Sequence, residues 1–141
     1  MSAFTAIRPY FRSNLVALGF KEWTDGFNVE NIPSAKLEKA FHIESPTGSR
    51  RNTYDQQAQD VEIDVTIRTF RKGFKDPASA IDTTMSDLDT ILTRCLASER
   101  RFGAQIKNIN YNNHTISAIN DTNDNAVLLE INFICFIILC V

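Results

Sequence analysis

Four of the carboxylates between residues 44 and 64 form the group whose pattern best suggests metal chemistry. They are Glu44, Asp60, Glu62 and Asp64. Glu62 and Asp64 share the polar face of a predicted strand, and carboxylates on adjacent strands can hold Mg²⁺ for nuclease chemistry. However, Thr66 and Arg68 continue this face, and no lysine follows at the spacing of common metal-dependent nucleases. Alternating charges on a solvent face are the commoner cause, so a small metal-dependent nuclease stays the alternative hypothesis.

The other reactive side chains do not form a recognisable catalytic pattern. His42 and His114 have no second histidine or cysteine at metal-ligand spacing, so we interpret each as a hydrogen-bonded sheet residue. The glycines are scattered, which argues against a phosphate-binding loop, and no Gly-x-Ser-x-Gly motif offers an acyl nucleophile. The sequence therefore predicts no catalytic residue, no metal site and no cofactor, and hence a protein that is not an enzyme.

The cysteines are predicted to be structural. Cys95, Cys135 and Cys140 are odd in number and contain no Cys-x-x-Cys pair. Two of them lie in an apolar run, where a thiol behaves as a small hydrophobic side chain. Free thiols and a reducing compartment are therefore expected.

Composition and charge indicate one ordinary globular domain, residues 1–141. The chain is 43% apolar and 23% charged, with a formal net charge of −2. This balance predicts no general affinity for nucleic acid or for an anionic membrane. No signal peptide is recognisable at the N-terminus, and the apolar run Phe133–Val141 is shorter than the ~20 residues of a membrane-spanning helix. We expect a protein that is cytoplasmic when made.

Two segments have the period of a helix that buries one stripe. The first stripe is Phe4, Ile7, Phe11, Leu15 and Leu18, and the second is Ile81, Met85, Leu88, Leu92 and Cys95. Gly19 is predicted to cap the first helix at its C-terminal end. Because proline is tolerated only in the first turn, Pro9 predicts that this helix begins near Thr5 or later. Asp76 and Pro77 predict the start of the second helix.

The remaining segments indicate strands and their connections. Residues 20–37 are predicted to be a long connection, 39–45 a short strand, and 46–53 a polar, flexible loop. The clearest pattern is Val61–Arg68, where apolar β-branched residues alternate with polar ones, as in a strand with one face on a core.

The last part of the chain predicts a β-hairpin. Residues 104–119 alternate imperfectly, with Ile109 and Tyr111 facing one way and Ile116 and Ala118 the other. This change of phase predicts a bulge near Asn112-Asn113. Residues 120–125 form the predicted turn. From Val127 onwards every odd position is apolar, and in the second half of this strand the even positions Ile134, Phe136 and Ile138 are apolar too.

Together these elements predict an α+β fold in the order αββαββ, a four-stranded, mainly antiparallel sheet packed against two helices. One face of the sheet is covered by the helices. The apolar even positions of the last strand lie on the other face, which this small chain has little material to cover. A neighbouring subunit is the simplest cover.

Several segments resemble tail terminator proteins of long-tailed bacteriophages, the family of the minor tail protein U of phage lambda. The resemblance covers essentially the whole chain, including its element order. The segments that carry it are Tyr10–Leu15, Leu18–Trp23, Phe27–Pro33, Arg71–Pro77 and Asn123–Glu130.

The resemblance implies a structural virion protein that assembles as a homohexameric ring. Such a ring lies on the head-proximal end of the tail tube, stops further tube polymerisation and offers a surface to the head connector. DNA would pass through the ring without specific recognition. Another ring of the phage neck, such as a head-completion or stopper protein, is the next interpretation. Segments 20–37 and 46–58 match loops that become ordered in assembly.

Aromatic and arginine side chains are common anchors of protein interfaces, and this chain offers several in its loops and last strand. The candidate contact residues for a neighbouring subunit or the tube are Trp23, Arg50, Arg51, Tyr54, Phe136 and Ile138.

Overall fold

The chain forms two helices and six strands in a computed structural model, which describes residues 3–23, 39–44, 47–53, 58–74, 77–96, 106–119 and 125–140. They are α1 (Ala3–Ala17), β1 (Lys21–Glu22), β2 (Ala40–Ile43), β3 (Thr47–Thr53), β4 (Ala58–Phe74), α2 (Pro77–Cys95), β5 (Ile106–Ile119) and β6 (Asn125–Cys140). The predicted α+β class is confirmed. The number of strands is larger than the four expected.

The sheet is built around β4 and β6, the two longest strands. They pair antiparallel along nearly their whole length, from Ala58 opposite Cys140 to Phe74 opposite Asn125. The strand order is β1-β2-β4-β6-β5, with β3 beside β4. All pairs are antiparallel except β1 with β2, so the sheet is mixed. The parallel pair arises because the chain after α1 runs beside β2, where the Lys21 and Trp23 amides donate to carbonyls of Lys39 and Phe41.

The predicted loop at 46–53 is wrong, because Thr47–Thr53 forms strand β3. It pairs antiparallel with β4 from Thr47 opposite Asp64 to Thr53 opposite Gln59. β2 pairs only with residues 67–70 on this edge of β4. The backbone groups of residues 59–64 on the same edge are therefore left for β3 to bind. Main-chain pairing does not require apolar side chains, so a polar segment can form a strand without the apolar alternation by which strands are predicted from sequence.

Helix α1 buries Ile7, Phe11 and Leu15 of the predicted stripe. Leu18, which follows the helix, packs against the core, while the Phe4 side chain lies outside the described residues. The expectation that Pro9 lies in the first turn is wrong, because the helix already begins at Ala3. A proline inside a helix removes one backbone hydrogen bond, at a cost of about 3 kcal/mol. Burial of the stripe stabilises the helix enough to offset that loss.

The C-terminal end of α1 confirms the role predicted for Gly19. This glycine has a φ of 91°, the left-handed conformation that residues with a Cβ rarely adopt. The Phe20 amide donates to the Leu15 carbonyl at 3.1 Å, and the Gly19 amide donates to the Val16 carbonyl at 3.0 Å. These two bonds make a Schellman motif, and it turns Phe20 into the core.

Helix α2 begins at Pro77 as predicted, but the predicted buried stripe is partly wrong. Ile81 and Met85 are 51% and 43% exposed, while Ala80 and Thr84 are buried in their place. The bidentate ion pair of Arg71 with Asp87, at 2.5 and 2.8 Å, turns the Asp87 side of the helix towards the sheet. The Thr84 hydroxyl is satisfied within the helix because it donates to the Ala80 carbonyl at 2.7 Å.

Because α2 is rotated so that Ile91 is buried and Ile81 is exposed, truncating these two isoleucines should lower the free energy of unfolding by very different amounts. We expect Ile91→Ala, at a fully buried position, to lower the free energy of unfolding by about 2–5 kcal/mol. Ile81→Ala removes the same atoms from an exposed position and should cost less than ~1 kcal/mol. Urea unfolding of both variants checks the phase, and a larger loss for Ile81→Ala would contradict it.

The core lies between the two helices and one face of the sheet. The alternation predicted for Val61–Arg68 is confirmed, since its odd positions are buried. The predicted bulge is also confirmed as a register shift between Tyr111 and Asn113. It returns Ile116 to the helix-covered face, opposite Leu129 and against the core.

Candidate interaction surface

The sheet face opposite the helices, which we call the outer face, carries the carboxylates that suggested metal chemistry. Glu62 and Asp64 lie on β4, and Glu44 follows β2, where its amide donates to the Thr66 carbonyl at 3.0 Å. Arg68 forms an ion pair with Glu44, which engages that carboxylate. The part of the chain that the structure describes contains no cluster of three or more His, Cys, Asp or Glu residues able to hold a metal ion. The Asp60 side chain lies outside the described residues.

The two histidines make local hydrogen bonds at separate places. His42 Nδ1 donates to the Trp23 carbonyl at 3.0 Å, which ties β2 to the residue after β1. The Tyr111 hydroxyl and His114 Nδ1 lie 2.5 Å apart on edge strand β5. Their separate hydrogen-bond partners agree with the interpretation of both as sheet residues.

One half of the outer face is a polar ladder whose side chains satisfy one another. The Thr66 hydroxyl donates to Oδ1 of Asn132 at 2.7 Å, and Nδ2 of Asn132 donates to Oδ1 of Asn113 at 2.5 Å. Arg68 donates from Nε to Glu130 at 3.2 Å as well as pairing with Glu44. These bonds cross β5, β6, β4 and the end of β2, so this half offers few unsatisfied groups to a partner.

The other half of the outer face carries an apolar strip between two polar strands. The strip is Ile134 and Phe136 of β6, both part-buried. Asp64 and Glu62 of β4 lie opposite them on one side. Asn110 and Asn108 of β5 lie opposite them on the other side and are exposed. In the described residues neither Glu62 nor Asp64 makes an ion pair. The apolar strip is therefore edged by negative charge along β4.

On the opposite side of the molecule, α1 presents an outward stripe of Arg8, Arg12 and Val16, spaced four residues apart. The arginine side chains are 49% and 52% exposed, and Val16 is 47% exposed. Both guanidinium groups share the carboxylate of Glu22. Arg8 Nη2 donates to Oε1 at 2.6 Å. Arg12 Nε lies 2.8 Å from Oε2, which is close enough for an ion pair but outside hydrogen-bond geometry. Within the described residues the α1 stripe thus keeps an excess of one positive charge.

The predicted contact residues do not all fall on one surface. Trp23 is part-buried at the β1 end of the sheet, where its amide donates to the Phe41 carbonyl at 2.8 Å. Arg50 and Arg51 lie on strand β3 and not in a loop, with Arg50 opposite Val61 and Arg51 at a register shift. Tyr54 and the side chains of both arginines lie outside the described residues.

The two contact residues predicted in the last strand lie on β6 at the apolar end of the outer face. Phe136 is opposite Glu62, and Ile138 is opposite Asp60. The Ile138 side chain lies outside the described residues. The sequence analysis did not predict Val16 as a contact residue. Its spacing of four residues from Arg12 is visible in the sequence, but its exposure is known only from the structure.

Both cysteines with described side chains, Cys95 and Cys135, are buried and are not disulfide-bonded, as predicted. Burial, with smaller contributions from Cys95 and Asp64, raises the pKa of Cys135 from its ordinary value of 9.0 to about 12. A thiol this basic stays protonated at neutral pH and is unreactive as a nucleophile.

The raised pKa predicts a loss of stability at alkaline pH. The unfolded thiol ionises near pH 9 while the folded thiol stays protonated, so unfolding is increasingly favoured between pH 9 and 12, by ~1.4 kcal/mol per pH unit. The contribution is fully present below pH 9. Urea unfolding of the wild type and Cys135→Ala at pH 8 and pH 10 isolates this group from the tyrosines and lysines. Equal pH slopes in the two proteins would contradict the prediction.

No helix in the described ranges has the length and apolar character needed to cross a membrane. Neither the protein-family models nor the curated proteins contain a match to this chain.

Proposed function

We propose that this chain is a structural subunit of a bacteriophage tail, a tail terminator that assembles as a homohexameric ring on the head-proximal end of the tail tube. The proposal rests on the sequence resemblance described above and on the apolar strip of the outer face. In this function the protein binds copies of itself, the tail tube protein and the head connector. It would act in the virion after assembly in the host cytoplasm.

The observation that carries the proposal is the contrast between the two halves of the outer face. The polar ladder around Asn132 is internally hydrogen-bonded, whereas Ile134 and Phe136 place apolar side chains on the face opposite the helices. Apolar residues at the centre of a polar rim are typical of interfaces between subunits. A ring subunit needs such a surface in every copy, because each interface of the ring repeats the same contact.

The mechanism of termination follows from asymmetry between the two sides of the ring. A tube grows when each added ring offers the next one a complementary surface. A terminator that binds the tube on one side and exposes a different chemistry on the other removes that surface. Tube growth then stops because no surface is left that the next tube ring can bind, and the exposed side becomes available to the connector.

Size-exclusion chromatography with light scattering tests ring formation, with the purified chain alone and with tail tube protein. The expected mass is six times 16.0 kDa, or about 96 kDa. Electron micrographs of tubes mixed with the chain should show a density at one end and a halt in elongation. A monomer at all concentrations with uncapped tubes would contradict the proposal. Binding to the connector and not to the tube would identify a head-completion ring instead.

Arg50 and Arg51, on strand β3, give a variant that tests assembly. We expect Arg50→Ala combined with Arg51→Ala to keep the melting temperature near that of the wild type and to impair ring closure or tube capping. Surface arginines that bind a partner contribute to association and little to the isolated fold. A large drop in melting temperature, measured by circular dichroism, would show that they belong to the fold.

A further inference from the structure

Two surfaces on opposite sides of this molecule have matching chemistry. The α1 stripe combines exposed Arg8 and Arg12 with exposed Val16, and within the described residues only the single carboxylate of Glu22 balances its two positive charges. The apolar end of the outer face combines Ile134 and Phe136 with Glu62 and Asp64, which form no ion pair within the described part of the chain. Each surface thus places a charged element beside an apolar one, with opposite signs of charge.

The spacing of the two surfaces also agrees. Residues four apart on a helix rise by about 6 Å, and adjacent strands lie about 4.8 Å apart. A helix laid across the strands with Val16 over Ile134 would therefore bring Arg12 over the neighbouring strand. There Asp64 lies directly opposite Ile134. The small exposed side chains of Ser13 and Ala17 beside the stripe let such a helix approach closely.

From this match we infer that the α1 stripe of one copy docks on the outer face of the next copy, with Val16 against Ile134 and Arg12 beside Asp64. The inference rests on the proposed ring and names the surfaces that join its subunits. The contact is head-to-tail, because it joins two different surfaces of the same chain. Contacts of this kind propagate from copy to copy and close into a ring when the rotation per subunit allows it.

A second copy is the favoured occupant because the chain itself carries both halves of the match. Opposite charges across an interface direct the correct partner and disfavour like-charged ones. An isologous contact of α1 with α1 would oppose Arg8 and Arg12 to the same residues of the other copy. An isologous contact of the outer face with itself would oppose Glu62 and Asp64 in the same way. The head-to-tail arrangement avoids both repulsions.

Disulfide trapping tests the docking directly in the full-length chain. The test variants carry Val16→Cys, Ile134→Cys or both, in a Cys140→Ser background, since Cys95 and Cys135 are buried. After mild oxidation, the double variant should give a ladder of crosslinked chains on a non-reducing gel. An equimolar mixture of the two single variants should give crosslinked dimers only, and each single variant alone should give none. Val16→Cys with Thr115→Cys is the matched control, because Thr115 is exposed opposite Glu130 at the polar half of the same face.

Light scattering on the same samples separates the two proposals. Rings of the double variant without any crosslink would overturn the docking and leave the tail terminator proposal standing. Crosslinked dimers of a single variant would show an isologous contact and also overturn it. Monomers that neither associate nor crosslink, even with tail tube protein, would overturn the docking and the ring together.

Discussion

Phe133→Ala is expected to lower the free energy of unfolding by about 3–5 kcal/mol, a large share of the total stability of an ordinary domain. Phe133 is fully buried on β6, and its ring centroid lies 5.0 Å from that of Phe11 on α1. Truncation removes the contact that seats α1 on the sheet and leaves a cavity that rigid neighbours only partly fill. Urea unfolding of the monomer measures the loss as a shift in the midpoint at constant slope.

Phe136→Ala is the matched control, since it makes the same truncation three residues later on the opposite face of β6. Phe136 is part-buried and lies opposite Glu62 and Asn108. We expect its cost to the isolated chain to be roughly half that of Phe133→Ala or less, because fewer atoms become exposed or lose contacts. Equal losses for the two variants would show that a second core covers the outer face of the monomer.

The second large effect is expected on assembly, from Ile134→Lys. A lysine at this position lies opposite Asp64, so the monomer tolerates it with a change of less than ~1 kcal/mol in the free energy of unfolding. A subunit docking on the strip would have to desolvate that ammonium group, and the association should weaken by about 2 kcal/mol or more per interface. Sedimentation or light scattering across a concentration series measures this as a shift from ring to monomer.

Thr115→Lys controls for the added charge. It places the same side chain on the same sheet face, opposite Glu130 in the polar half. This variant should assemble like the wild type while Ile134→Lys does not. If both variants assembled normally, the apolar strip would not be a subunit interface. If both failed, general charge on the face would be responsible.

The sequence predicted the elements whose signal is contained in a few consecutive residues. The alternation of Val61–Arg68, the buried stripe of α1 and the cap at Gly19 are all present as expected. Each depends on the side-chain period of a strand or helix, or on the backbone freedom of glycine, and these are local properties. The change of phase near Asn112-Asn113 was readable for the same reason.

Other features depend on residues far apart in the chain, and these could not be predicted. The ion pair of Arg71 with Asp87 and the burial of Ala80 go with a rotation of α2 that exposes Ile81 and Met85, although the predicted stripe included them. A long uncovered edge of β4 made a strand of the polar segment Thr47–Thr53.

The same distinction between local and long-range features applies to the candidate interaction surface. By itself the sequence determined that the even positions at the end of β6 are apolar and that β4 carries alternating carboxylates. Only the tertiary structure decided that Ile134 lies opposite Asp64, because the register between strands about 70 residues apart is set by the whole sheet. It also decided that Arg12 and Val16 face outwards on the far side of the molecule, because exposure depends on what packs against a residue and not on its type.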